Sequence, residues 1–501
     1  MATVALRKGA KVWIPSSGDE PFEQGEVLEL EPLVVSFPSG REVSPRGADV
    51  SLANEHTEED NTALVNLSDA TLLANTRERF LNDQIYTFTG SIVTSVNPCK
   101  RLPSLYDETA MQAARDCHKR DPHPHIFDTA EAAYSTLRAG GRDQSIIVSG
   151  ISGAGKTEAV KYIMRYMCWR SGGGSGRGGD LADLVMQSNP VFEALGNATT
   201  VNNPNSSRFG KFIRLRFDAD GAVAGALIDT YLLEKSRLAA QQPNERNFHI
   251  FYQMLAGAPD DTLAALKLAR DDRFALLGGG LVSPFAKVGI PANSSLGKSP
   301  DRVRSTTMEL SKEAAAADAA ADAVSVDADA GVLAQLKAEF AETTASMAAL
   351  GLGVEGTAIY AGLLHLGNIT FESFTPEGEN QEEAGRPTEA GAAALDLAAE
   401  ILGIAPLRHI LTKRTVQSGG ARRSTYDVAL SMEKAVKTRD ALVKKLYEGL
   451  FRRTVDQIND VLKPAPLGAG APAHRSIGLL DVFGFEIFER NGFEQVGSLS
   501  S

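Results

Sequence analysis

Residues 150–157 read Gly-Ile-Ser-Gly-Ala-Gly-Lys-Thr, and few stretches this short constrain a fold so tightly. They fit G-x-x-x-x-G-K-[ST], a turn whose glycines let backbone N–H groups close around phosphate oxygens. The flanks agree with that reading. Ser145-Ile146-Ile147-Val148 is of strand type, and beyond the turn Val160, Ile163, Met164 and Met167 recur at helical spacing. A strand, a glycine turn and a helix N-terminus in that order predict an α/β layer carrying a phosphate nest. Gly150, Ile151, Ser152, Gly153, Ala154 and Gly155 then form the cradle. Lys156 supplies a point charge to the outer phosphates, and the Thr157 hydroxyl suits Mg2+. A purely structural glycine turn is the weaker alternative.

A chain of 501 residues is long enough for about two to four domains with large cores. Its 43% hydrophobic and 23% charged content is that of a globular protein. The net charge of -12 argues against a nucleic-acid partner. Three cysteines, Cys99, Cys117 and Cys168, show no metal spacing and fit a reducing compartment. The N-terminal MATVALRKGAKVW lacks a signal-type apolar core, and no run of about 18 apolar residues is present. The expected location is the cytoplasm, with no membrane insertion.

Along the chain, residues 8–52 carry short strand-like runs such as Val12-Trp13-Ile14 and Leu33-Val34-Val35 between turn residues. They predict a small all-β module, structural rather than peptide-binding. From residue 63 to 501 the pattern is mixed α/β. Three interruptions look like surface insertions: the glycine-rich loop 171–180, the stretch 278–336, irregular at first and then an Ala/Asp-rich run compatible with a helix, and the acidic loop 373–392. His123 and His125 in Asp-Pro-His-Pro-His read better as a proline-bordered turn than as a metal pair.

Two further segments sharpen the phosphate loop. Asn203-Pro204-Asn205-Ser206-Ser207-Arg208-Phe209-Gly210-Lys211 packs amide, hydroxyl and guanidinium groups into one polar run before a strand-like segment. Asp481-Val482-Phe483-Gly484-Phe485-Glu486 follows the apolar strand Ile477-Gly478-Leu479-Leu480, which puts a carboxylate where an NTPase anchors Mg2+. Together these resemble the phosphate loop, switch I and switch II of the myosin motor domain, in that order. Gln84 to Pro98, Thr230 to Arg237, Asn244 to His249 and Leu363 to Ile369 resemble further phrases of the same family. The seven residues between Pro98 and Tyr106 look most like plant and algal class XI myosins.

The resemblance implies an α/β P-loop NTPase fold, with a mostly parallel central transducer sheet flanked by helices and preceded by an SH3-like barrel. It implies ATP and Mg2+ as cofactors and actin filaments as partner. Asn203 and Ser206 would hold phosphates and the attacking water, and Gly484 would donate its N–H to the γ-phosphate. Thr157 and Ser207 would ligate Mg2+ directly, and Asp481 through a water. Arg208 and Glu486 would close the site as an ion pair, while Asn97, Pro98, Arg101 and Tyr106 would border the adenine. Ile151 stands where the family normally has Glu, and Pro204 removes one N–H from switch I.

The family's relay helix, lower actin-binding subdomain, converter, lever and one interior strand of the sheet would all follow residue 501. No IQ pattern is visible, so light chains are not expected. The chain therefore reads as the N-terminal part of an actin-based motor ATPase. A non-motile nucleotide-binding fragment or regulator is the alternative, and the intact motif residues argue against a decayed site. Ser424, after Arg422 and Arg423, is a candidate phosphorylation site, in a loop that the resemblance implies faces actin.

Overall fold

The computed structural model describes residues 6–46, 49–117, 122–172, 177–278, 314–353, 356–376, 383–417, 425–464 and 474–482, with the side chains of 177–182 and 314–329 left aside. Gly484, Glu486 and Ser424 lie outside the described residues. Two compact units emerge. One comprises Met1–Ile146 with Thr157–Arg170, the other Ile147–Lys156, Ser171–Ser294 and Thr307–Ser501.

In the first unit, β1 (Lys11–Pro15), β2 (Phe22–Leu30), β3 (Leu33–Ser36), β4 (Glu42–Val43) and β5 (Ser51–Leu52) form one sheet in the order β4-β3-β2-β1-β5. Every pairing is antiparallel. Alternate residues of β1 point inward, so Val12 and Ile14 join Val27, Val35 and Phe37 in a small core. Helix α1 (Asp69–Leu81) starts in a reciprocal cap between Ser68 and Thr71. Its buried Arg79 donates to Thr87 Oγ1 (3.1 Å) and Tyr86 O (3.0 Å), pinning the helix to the hairpin β6 (Tyr86–Thr89) and β7 (Ile92–Ser95).

Then come α2 (Glu108–Cys117) and α3 (Ile126–Gly140). The Pro122-His123-Pro124-His125 run sets the start of α3: His125 is its N-cap, and Nδ1 accepts from Phe127 N–H at 3.0 Å. After β8 (Gln144–Val148) and the glycine turn, α4 (Lys156–Arg170) buries Val160, Ile163, Met164 and Met167, the face expected from their spacing. Glu131 of α3 accepts from Tyr166 Oη (2.7 Å) and Arg170 Nε (2.8 Å), fastening α3 to α4.

The second unit is built on a sheet in the order β12-β11-β17-β8, to which β8 brings Ile147 and Val148. Before it come α5 (Arg177–Gly196) and the paired segments β9 (Asn197–Ala198) and β10 (Ser206–Ser207). Strand β11 (Gly210–Phe217) returns at once as β12 (Val223–Tyr231). Helices α6 (His249–Gly257), α7 (Asp260–Ala265), α8 (Ala314–Ala349) and α9 (Gly356–Gly367) follow. The chain then forms hairpin β13 (Phe371–Phe374) and β14 (Ala384–Pro387), helices α10 (Glu389–Leu402) and α11 (Leu407–Thr412), and hairpin β15 (Lys413–Gln417) and β16 (Thr425–Ala429). Helix α12 (Met432–Leu462) and strand β17 (Arg475–Asp481) complete the described elements. Tyr447 of α12 stacks on Phe248 (centroids 5.0 Å apart) and donates to Leu195 O at 2.7 Å, joining α12 to α5 and α6.

Four expectations need correcting. The described sheet is mixed rather than mostly parallel: β11 runs antiparallel to β12, because the short turn after Phe217 can only reverse the chain, and antiparallel to β17 as well. The loop expected over 171–180 is already helical from Arg177. The insertion expected to 336 ends in α8, whose last turns bury Leu336 and Phe340. Finally, the described residues of 373–392 belong to a hairpin and to the start of α10 rather than to one exposed loop, and their buried positions are the small Ala384, Gly385 and Gly391, which carry no apolar signal.

Candidate functional site: a phosphate loop against a switch

The glycine turn adopts the conformation its composition demands. Gly150, Gly153 and Gly155 have φ of 151°, 80° and 89°, values that L side chains rarely adopt. Ile151 projects outward at 69% exposure, so replacing an acidic residue there leaves the turn itself undisturbed. Lys156 opens α4 and folds back over its own loop, with Nζ donating to Gly150 O (3.0 Å) and Ile151 O (2.8 Å). Thr157 follows it in the first turn of the helix, where the aligned peptide dipoles favour an anion.

Switch I lies beside this loop. Ser152 Oγ and Ser206 Oγ share a hydrogen bond of 3.2 Å, and a Cβ built on Gly153 would stand 3.8 Å from Asn202 O. Ser206 pairs with Ala198 and Ser207 with Asn197, so a two-residue ladder fixes both hydroxyls. Ser207 Oγ donates to Phe209 O at 3.0 Å, which leaves its lone pairs for a cation. Asn203 Oδ1 accepts from Asn205 N–H (3.0 Å), and Thr199 Oγ1 donates to Pro204 O (2.9 Å). Pro204 therefore sits in a braced turn, and its missing N–H costs no ladder bond.

Arg208 is buried and held by a partner that the sequence motifs did not single out. Its Nε meets Glu234 Oε2 at 2.6 Å, and an Nη donates to Ser206 Oγ at 3.1 Å. Glu234 also takes Arg237 (2.8 Å), which reaches Glu245 (2.9 Å). Burial alone would raise the Glu234 pKa, but the two guanidiniums outweigh it and hold the carboxyl below its ordinary value. The motif reading missed Glu234 because it falls just beyond β12, and only the β11–β12 hairpin returns it to Arg208. Its signal was the charged run Glu234-Lys235-Ser236-Arg237 directly after a strand.

Asp481 ends β17, and its register partner on β11 is Lys211. Both are buried, with Lys211 Nζ 3.6 Å from Asp481 Oδ2 and 3.3 Å from Asn189 Oδ1. A buried lysine thus balances the carboxylate at the strand end expected to face Mg2+. The expected Arg208 partner Glu486, and Gly484, fall outside the described residues.

The segment expected at the adenine belongs to the first unit. Asn97 Oδ1 accepts from Cys99 N–H (2.9 Å), shaping the turn through Pro98 and on to Arg101. Tyr106 is committed to an aromatic cluster: it stacks on Tyr162 (3.6 Å, 6°) and shares a 2.7 Å hydrogen bond with Tyr86 Oη. No group of metal-ligating side chains outside these motifs is found among the described residues.

A glycine nest at a helix start, a serine-bearing switch touching it and an acidic strand end with its lysine define a P-loop NTPase of the switch-bearing kind. The sequence profile of the myosin head (motor domain) matches residues 58–497, and the chain belongs to that family. It is 35% identical to unconventional myosin-VI of Bos taurus over 98% of its length, covering 36% of that protein. It is 34% identical to myosin heavy chain IB of Acanthamoeba castellanii over 87% of its length, covering 33% of it. To myosin-14 of Arabidopsis thaliana it is 33% identical over 99% of its length, covering 30% of it. The chain thus spans about a third of these relatives. Identities this even across animal, amoebal and plant proteins do not support the class XI assignment drawn from the Pro98–Tyr106 spacing.

Proposed function

We propose that this chain carries the nucleotide-binding and switch part of an actin-based motor ATPase and hydrolyses Mg-ATP there. The observation that carries the reading is the contact of Ser152 with Ser206, which sets a left-handed glycine turn against a switch that also holds Arg208. The donor set fits a nucleotide triphosphate. Backbone N–H groups from Ser152 to Thr157 and the Lys156 ammonium would take phosphate oxygens. Thr157 and Ser207 hydroxyls, with Asp481 through a water, would hold Mg2+, which supplies charge neutralisation at the phosphates.

Phosphoryl transfer leaves the protein mainly positioning and electrostatic work. Ser206 and Asn203 would place the attacking water, the Gly484 N–H would meet the γ-phosphate, and Arg208 with Glu486 would close the site. Glu234 holds Arg208 in the switch. The adenine falls to Asn97, Pro98, Arg101 and Tyr106. Actin filaments are the proposed partner and the cytoplasmic actin cytoskeleton the proposed location. Among the described residues, no helix is long and apolar enough to cross a membrane.

Titration of the whole chain with fluorescent Mg-ADP tests the nucleotide reading. Saturable binding is expected, weakened at least a hundredfold by Lys156→Ala; binding of equal strength by both forms would refute it. Actin cosedimentation in the same preparation separates a motor fragment, which pellets with filaments, from a non-motile nucleotide-binding regulator, which stays in solution.

A further inference from the structure

A cavity of about 250 Å3, partly open to solvent, lies within the second unit between α6, α8, α9 and α12, and the nucleotide reading makes no use of it. The apolar part of its wall is formed by Ile250, Phe340, Met347, Leu352, Ile359 and Leu450. Such a volume falls just below the ~300–1,000 Å3 usual for drug-sized ligands, which points to a small, mostly apolar body.

The polar groups on the lining are one-sided. Thr343 Oγ1 donates to Gln253 Oε1 (3.2 Å), Thr344 Oγ1 to Phe340 O (2.9 Å) and Thr454 Oγ1 to Leu450 O (3.0 Å), so these hydroxyl protons are spent within the protein. Three other donors are not spent. Among the described residues, Tyr360 Oη, the Gln457 amide and the Arg453 guanidinium have no hydrogen-bond or ion-pair partner, and all three line the cavity. Tyr360 is only 3% exposed, and burial raises its pKa, so the phenol keeps its proton and donates. Among the described residues, no Asp or Glu lines the space. Arg453 is exposed and reaches the space from its rim, so the buried Tyr360 phenol is the group that calls for an acceptor, and the guanidinium beside it favours one that carries negative charge.

We propose that this cavity is a binding site for a small aromatic carboxylate, its ring between Phe340 and Leu450 and its carboxylate taken by Arg453, Tyr360 and Gln457. The ring would gain from apolar burial, and the charge-assisted contact with Arg453 would select the anion over a neutral analogue. The site is separate from the phosphate loop and does not rest on the nucleotide reading.

Ligand-observed NMR titration of the whole chain with indole-3-acetate and with 3-methylindole tests it, with and without saturating Mg-ADP. Indole-3-acetate is expected to bind saturably and at least tenfold more tightly than 3-methylindole, unaffected by the nucleotide. Arg453→Gln, at an exposed position, should abolish that preference. Arg452→Gln, one residue earlier on α12 and lining a different cavity, should preserve it. Tyr360→Phe should weaken indole-3-acetate several-fold without altering the far-UV spectrum. Equal affinity for the two compounds, equal loss in Arg452→Gln and Arg453→Gln, competition by Mg-ADP, or no binding at all would each overturn the proposal.

Discussion

Arg208 sits 7% exposed in the switch, and its side chain is held by a residue 26 positions further on. Removing one member of a buried ion pair leaves the other as an uncompensated charge, at a cost of roughly 3–5 kcal/mol. Glu234→Gln keeps the shape of the side chain but strips the counter-charge from Arg208 and leaves Arg237 with Glu245 alone. The expected result is a loss of that size in urea unfolding at pH 7.5, against a change near zero for the exposed pair Arg77–Glu20 treated in the same way. If Glu234→Gln unfolded at the wild-type denaturant concentration, the network would not be holding the switch.

At the scale of elements, α12 anchors the open edge of the sheet. Among the described strands β12 ends the order, so the outward N–H and C=O of Ile228 need a partner. Asn459 supplies it, with Oδ1 accepting from Ile228 N–H at 2.7 Å and Nδ2 donating to Ile228 O at 2.8 Å. One side-chain amide thus does the work of a further strand at that position. Asn459→Leu keeps the volume but leaves both backbone groups bare, and each should cost about 1–3 kcal/mol. Hydrogen exchange should show the effect as faster exchange at Ile228 with little change at Ile213 on the neighbouring strand. Unchanged protection at Ile228 would mean that the amide is incidental to the edge.

For the molecule as a whole, what the sequence made legible was what local chemistry decides. Gly150, Gly153 and Gly155 had to adopt backbone angles closed to other residues, so the phosphate loop could be read from eight letters. Lys211 and Asp481 become partners only through the register of β11 on β17, and Glu234 reaches Arg208 only through a hairpin, so no short pattern announces either pair. The same long-range packing produces a global property: sensitivity to acid. His249 donates to Asn205 in the switch, and burial, then Arg246, lowers its pKa from 6.5 to about 4. His125 is likewise lowered by burial to about 4, and its Nδ1 must stay unprotonated to cap α3. Below pH 6.5 the unfolded chain binds protons at both histidines and the folded chain refuses them down to about 4, so stability falls across that window. Glu234 acts lower still. Its contribution is complete above its ordinary 4.5 and disappears as the pH falls through its depressed folded value. Urea unfolding at pH 7.5, 6 and 5 should therefore show a steady decline, flattened in the double variant His125→Gln/His249→Gln and retained in Glu234→Gln. A decline of equal slope in the double variant would assign the acid sensitivity to other groups. A flat profile in the wild type would show that the two imidazoles are solvated, and that the cap of α3 and the brace on Asn205 do not depend on keeping them neutral.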